Sequence, residues 1–97
     1  MTVEQWIEAR EMREGTYAVV MHRTQRTTHH LVVYSATFLA RMGLSDADGR
    51  RLVETAVGLL AEREDEVEHD LDLDWMVHED ADFLIALRER LVESTTV

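Results

Sequence analysis

The chain lacks three residue types that often narrow the interpretation of a sequence. Its 97 residues include no cysteine, no proline and no lysine, so all ten basic residues are arginines. Without cysteine there is no disulfide, no thiolate metal site and no cysteine nucleophile. No run of about 18 apolar residues occurs, so we expect no membrane-spanning helix. A cytoplasmic location is the default expectation.

Acidic residues are abundant, but they are distributed unevenly along the chain. The formal net charge is −10. Residues 15–45 contain three arginines and no acid, whereas residues 46–97 contain sixteen acids and five arginines. This balance argues against nucleic-acid or anionic-membrane binding and favours a basic partner. At this length we expect a single domain over residues 1–97 with a thin core, completed by association with further copies.

The spacing of apolar residues and the scarcity of chain breakers predict an all-α fold. No glycine or proline interrupts the chain between Gly15 and Gly43, and apolar residues there recur at helical spacing. We therefore predict a small antiparallel helical bundle with a short N-terminal helix and three longer helices. The predicted ranges are 1–14, 16–42, 46–70 and 73–94.

Residues 16–42 leave two alternatives open. The stretches TYAVV and HLVVYSATF are rich in β-branched residues, which raises their strand propensity. A strand pair or two shorter helices could therefore replace one long helix. A hairpin would need its turn near TQRTT, which contains no Gly, Asn, Asp or Pro, and this favours the long helix.

A basic tract, HRTQRTTHH over residues 22–30, stands out in this acidic chain. In an antiparallel bundle that turns near residue 44, this tract lies beside residues 59–67. Arg23 and Arg26 are then expected to offset Glu62 and Glu66. This expectation depends on residues 16–42 forming a helix.

A carboxylate–histidine set is the candidate metal site. Glu66 and His69 form an E-x-x-H pattern that would share one helical face. Glu62 lies one turn earlier, and the bundle register brings His22 to the same level. Carboxylate and imidazole ligands suit iron or zinc. The sequence therefore indicates a candidate iron or zinc site made by these four residues.

The same segment also shows a family resemblance. REDEVEH, followed closely by Trp75, resembles the second-helix motif of encapsulated-ferritin-like proteins. The resemblance implies that Glu66 and His69 bind iron at a subunit interface, beside a Glu from the preceding helix. Here no acid occurs between residues 15 and 45, so a histidine of the basic tract would have to replace that Glu.

The acidic second half suggests the leading function. Residues 62–82 contain eleven acids against one arginine, and their mutual repulsion calls for a compensating partner. We predict a non-enzymatic interaction, assembly or regulatory protein that acts through this surface. The sequence has no G-x-S-x-G, P-loop or H-E-x-x-H motif, which favours a non-enzymatic role. We expect a homo-oligomer formed through the long helices, with a basic protein as a second partner. The candidate contact residues are Asp65, Asp70, Asp74, Arg23, Arg26 and Trp75.

Overall fold

The fold combines a β-sheet with helices. The computed structural model describes residues 6–24, 26–64 and 66–95. The elements in chain order are β1 (Trp6–Arg13), β2 (Thr16–His22), β3 (Thr27–Val33), α1 (Ala36–Arg41), a short 3-10 helix (Asp46–Asp48), α2 (Gly49–Arg63), β4 (Asp70–Asp72), α3 (Leu73–Glu79) and α4 (Ala81–Thr95). The prediction of an all-α helical bundle is therefore wrong, because the chain forms an α+β fold.

The four strands form one mixed sheet in the order β1-β2-β3-β4. The first three strands are an antiparallel meander, and β4 joins the far edge parallel to β3. The parallel step requires a crossover, which α1, the 3-10 helix and α2 provide. This topology brings residues 70–72 beside residues 31–33, although they are far apart in sequence.

Each of the predicted helices differs from the observed elements. The range 1–14 contains strand β1, and the range 16–42 contains two strands and α1. The predicted third helix, 46–70, ends at Arg63, and the predicted fourth helix, 73–94, is divided into α3 and α4. Since there is no long helix at 16–42, the predicted oligomer contact through that helix has no basis.

In the strands at residues 16–33, burial alternates from one residue to the next, as expected for strands with one face against a core. Tyr17, Val19 and Met21 are buried on one side of β2, while the residues between them point to the other side. This period of two in burial is that of a strand, and the β-branched residues of the segment favour the extended backbone. The turn between β2 and β3 contains no glycine, and the Arg23 N–H donates across it to the Arg26 carbonyl at 2.8 Å.

The helices pack on one face of the sheet, which we call the inner face. Gly49 at the start of α2 lies against the Tyr17 and Tyr34 side chains, and Gly58 lies near Ile7. The core also contains Leu52, Val53, Ala56 and Val57 of α2 and Phe83, Leu87 and Leu91 of α4. The strand residues in this core all come from the inner face, so the opposite, outer face contributes nothing to it.

An ion pair joins the two longest helices. Arg90 on α4 donates to both carboxylate oxygens of Glu62 on α2, at 2.7 and 2.9 Å. The Arg90 hydrogen bonds hold the pKa of Glu62 below its usual value. Among the described residues, no helix is both long and apolar enough to cross a membrane.

Candidate functional site

The basic tract and the E-x-x-H segment do meet, but through the edge of the sheet. The Leu31 N–H donates to the His69 carbonyl at 2.7 Å, and the His69 Nδ1–H donates to the His29 carbonyl at 2.8 Å. Arg26 and Glu66 form a long, exposed ion pair at 3.9 Å. The contact is therefore mainly backbone pairing beside β4, and it does not gather the side chains of the two segments.

One histidine of the basic tract is a buried structural residue. The His30 side chain is only 4% exposed. Its Nδ1 lies 2.6 Å from the Glu68 carbonyl, which can only accept, so Nδ1 carries a proton. The Nε2 atom lies 2.8 Å from the Thr28 hydroxyl. Both ring nitrogens therefore have a hydrogen-bonding partner. Through the bond to Glu68, His30 links β3 to the segment that precedes β4.

The four candidate metal ligands do not converge. Helix α2 ends at Arg63, so Glu66 and His69 lie in a non-helical segment and lose the common helical face that the E-x-x-H pattern assumed. Glu62 is held by an arginine of α4. His22 is 3.0 Å from Glu8 and stacks on Trp6 at 4.1 Å. Within residues 6–24, 26–64 and 66–95, no group of three or more potential ligands is placed to hold a metal.

The candidate interaction residues lie in different places and do not form one surface. Asp74 accepts from the Ser35 N–H at 2.8 Å and from its hydroxyl at 2.6 Å, so it orders the start of α1. Arg26 is exposed, whereas Arg23 is half-buried. Asp65 lies outside the described residues. Asp70 and Trp75, the remaining two, line a common groove.

This groove, which we call the acidic groove, lies where the end of α2, β4, α3 and the start of α4 meet. Its volume is about 520 Å³. The apolar floor and wall contain Leu60, Leu71, Met76, Phe83 and Trp75. Six carboxylates and one guanidinium surround them: Glu64, Glu68, Asp70, Asp72, Glu79, Asp80 and Arg63. The groove thus combines a strongly negative rim with an apolar interior.

Some of these carboxylates hydrogen-bond within the protein and hold the elements around the groove together, whereas others remain available to a ligand. Asp72 accepts from the Trp75 N–H at 3.2 Å and caps α3. Asp80 accepts from the Phe83 N–H at 3.1 Å and pairs with Arg63 at 3.3 Å. By contrast, the carboxylates of three glutamates receive no hydrogen bond from any residue that the structure describes. These three are Glu64, Glu68 and Glu79.

Trp75 is the most unusual member of the acidic groove. Its side chain is 60% exposed, although it belongs to a short helix whose other face is buried. The ring of His78 lies beside it, with centroids 6.2 Å apart. Large exposed aromatic side chains are enriched at binding surfaces. Trp75 therefore marks the groove as a candidate binding site.

Sequence reasoning identified Trp75 and the acids but missed the groove itself. Met76 and Phe83 fit an ordinary helical core pattern, and Leu71 and Phe83 are indeed buried, at 6% and 1% exposure. Their position beneath a rim of acids depends on β4 and on the chain break at Asp80. One local signal was present. Asp72 and Asp80 each precede a helix by one position, as N-cap residues do.

No protein-family model, curated protein or solved structure matches this chain. The acidic groove is therefore the feature from which function is inferred.

Proposed function

We propose that the protein is a non-enzymatic interaction module whose acidic groove binds a basic segment of a partner protein. The observation that carries this proposal is the exposed indole of Trp75 beside glutamates that have no hydrogen-bonding partner among the described residues. A rim with a large excess of negative charge around an apolar floor is complementary to a chain segment that carries arginine or lysine among apolar residues.

The chemistry of the acidic groove suits a long cationic side chain. A guanidinium placed over the Trp75 ring gains a cation–π interaction, since the face of the indole is negative. The methylene stem of that side chain can lie on Leu71 and Met76, while its head stays among the carboxylates. Glu64 or Glu68 can then accept two parallel hydrogen bonds from one arginine.

The lining also favours binding over catalysis. Among the described residues, none of the side chains that line the groove is a serine, threonine or histidine, and His78 lies outside the lining, against the Trp75 ring. Its single arginine, Arg63, is engaged with Asp80 and lies 5.8 Å from the centroid of the Phe83 ring. The net charge of −10 further raises the rate at which a cationic partner is encountered.

Titration with short peptides tests this proposal. An arginine-rich peptide that carries one leucine should bind, and a matched peptide with glutamate in place of arginine should not. Trp75→Ala should weaken binding by about three- to thirtyfold, the range of a cation–π contact. The triple variant Glu64→Gln, Glu68→Gln, Glu79→Gln should weaken it further and reduce its dependence on salt.

Two control variants keep this test specific. Ile85→Ala removes another large exposed apolar side chain, which is 55% exposed on α4 and lies outside the groove. Glu89→Gln neutralises an exposed acid of α4 that lies outside the groove. Both should bind the peptide as the parent does. Unchanged affinity in Trp75→Ala, or equal binding of the acidic peptide, contradicts the proposal.

A further inference from the structure

The outer face of the sheet is apolar at its centre, although none of its residues belongs to the core. Strand pairing places Ala18 and Val20 of β2 beside Leu31 and His29 of β3 on this face. Leu31 is 37% exposed, and Trp6 at the end of the face is 51% exposed. Isolated apolar residues on a surface are normal, but these form a continuous strip across two central strands.

The sequence of these strands has the pattern of strands that are covered on both faces. TYAVV and LVVY are near-continuous apolar runs, whereas a strand with one solvated face usually alternates apolar and polar residues. Within the described parts of the chain, only the inner face is covered by helices. The pattern therefore indicates that a second layer packs on the outer face.

The register of the sheet arranges four of the outer-face charges in two similar rows. One row runs from Arg10 through Ala18 and Leu31 to Asp70. The next row begins at Arg13, passes Thr16 and Val33, and ends at Asp72. Each row is positive on edge strand β1, uncharged across the centre and negative on edge strand β4.

A row of this kind is complementary to itself. A two-fold axis parallel to the strands, between two sheets packed face to face, lays β1 of one copy over β4 of the other. Arg10 then faces Asp70 of the second copy, while Ala18 and Leu31 pack together at the centre. An in-plane axis perpendicular to the strands would instead place β1 over β1, with like charges together. The charge pattern thus selects the first arrangement.

We propose that the outer face is the interface of a two-fold symmetric dimer of this chain, in which the sheets stack with β1 over β4. Aligned packing of two sheets is a common way to bury such faces. Glu8, the acid on the outer side of β1, is held within its own chain by His22 at 3.0 Å.

The mass of the protein in solution is the first test. Analytical ultracentrifugation of the full chain should give twice the chain mass of 11.2 kDa. Leu31→Glu should yield monomers that retain the circular dichroism of the parent. The matched control is Ile85→Glu on α4, where the side chain is also exposed, at 55%, and this variant should remain dimeric. A monomeric parent, or dissociation by Ile85→Glu but not by Leu31→Glu, would falsify the proposal.

Charge exchange tests the orientation of the two copies. Arg10→Asp and Asp70→Arg should each raise the dimer dissociation constant by at least about tenfold, because each creates like-charge contacts. The double variant Arg10→Asp, Asp70→Arg should restore the parent constant. If each single variant weakens the dimer and the double variant does not restore it, the proposed stacking of β1 over β4 is wrong.

Discussion

Tyr34 shows how burial determines the chemistry of a single residue. Its side chain is 9% exposed, and its ring centroid lies 6.2 Å from that of Tyr17. Burial, followed by the nearby Tyr17, raises the pKa of Tyr34 from 10.0 to about 12. Removal from water disfavours the charged tyrosinate, so the neutral ring is the form that the folded state stabilises.

This pKa shift predicts a loss of stability at high pH. Because the folded pKa is above the unfolded one, the stabilisation is fully present below pH 10 and is lost as the pH rises from 10 towards about 12. The loss should reach about 2 kcal/mol. Urea unfolding at a series of pH values measures it. In Tyr34→Phe the corresponding part of the decline should be absent, and an identical decline would contradict the assignment to Tyr34.

His30 shows why residue-level prediction failed in the basic tract. It is one of the three histidines of the basic tract, and nothing in the local sequence shows which of them is buried. Strand pairing makes the distinction, since His30 lies opposite Val19 on the inner face. Once β3 is known to be a strand, alternation alone assigns His30 and Val32 to the interior.

At the scale of elements, the local sequence patterns predicted the helices of the second half better than the strands of the first half. The helical content of the second half could be predicted, because α2 and α4 carry long apolar periodicity. The strands of the first half could not, because their apolar residues fit helical and strand spacing alike and the β2–β3 turn lacks the usual turn residues. Gly15 did mark a break, but its positive φ of 77° serves a hairpin turn instead of a helix end.

The two glycines of α2 should respond oppositely to alanine. A Cβ at Gly58 would meet only the Ile7 side chain, at 3.6 Å, an ordinary contact. Gly58→Ala should therefore stabilise the protein by about 0.5–1 kcal/mol through helix propensity. A Cβ at Gly49 would collide with the hydroxyl of Tyr34 and would lie 2.6 Å from that of Tyr17. Gly49→Ala should destabilise the protein by about 1–3 kcal/mol.

Urea unfolding of both alanine variants provides the measurement, and each serves as the control for the other. Both substitutions fall in the same helix and add the same methyl group. Equal effects would mean that helix propensity alone governs α2, and that the packing of the tyrosines on its first turn contributes little.

At the scale of the whole molecule, the parallel pairing of β3 with β4 was the feature that sequence reasoning could not reach. Residues 34–69 separate the two strands, and β4 has only three residues, Asp70–Asp72. A strand this short has no periodicity to detect. The acidic groove depends on it, so the acids could be predicted as a surface but the groove could not.

The same separation predicts uneven stability. The β1–β3 meander has local connections, whereas β4 is held at one edge by few contacts, so it should open more readily. In native-state hydrogen exchange, the Leu31 amide, which donates to the His69 carbonyl, should exchange through a smaller opening free energy than the amides of β2. Equal opening free energies would show instead that the sheet unfolds as one unit.

Strand β4 connects the two proposed binding surfaces. Asp70 lies on the rim of the acidic groove and also ends one charged row of the outer face. A transient detachment of β4 would therefore disable both surfaces at once while the meander stays folded. Conversely, a ligand that holds β4 in place at one surface removes the entropic cost of ordering β4 for a ligand at the other surface. The two proposed binding equilibria are then thermodynamically linked, because both depend on the fraction of molecules in which β4 is attached.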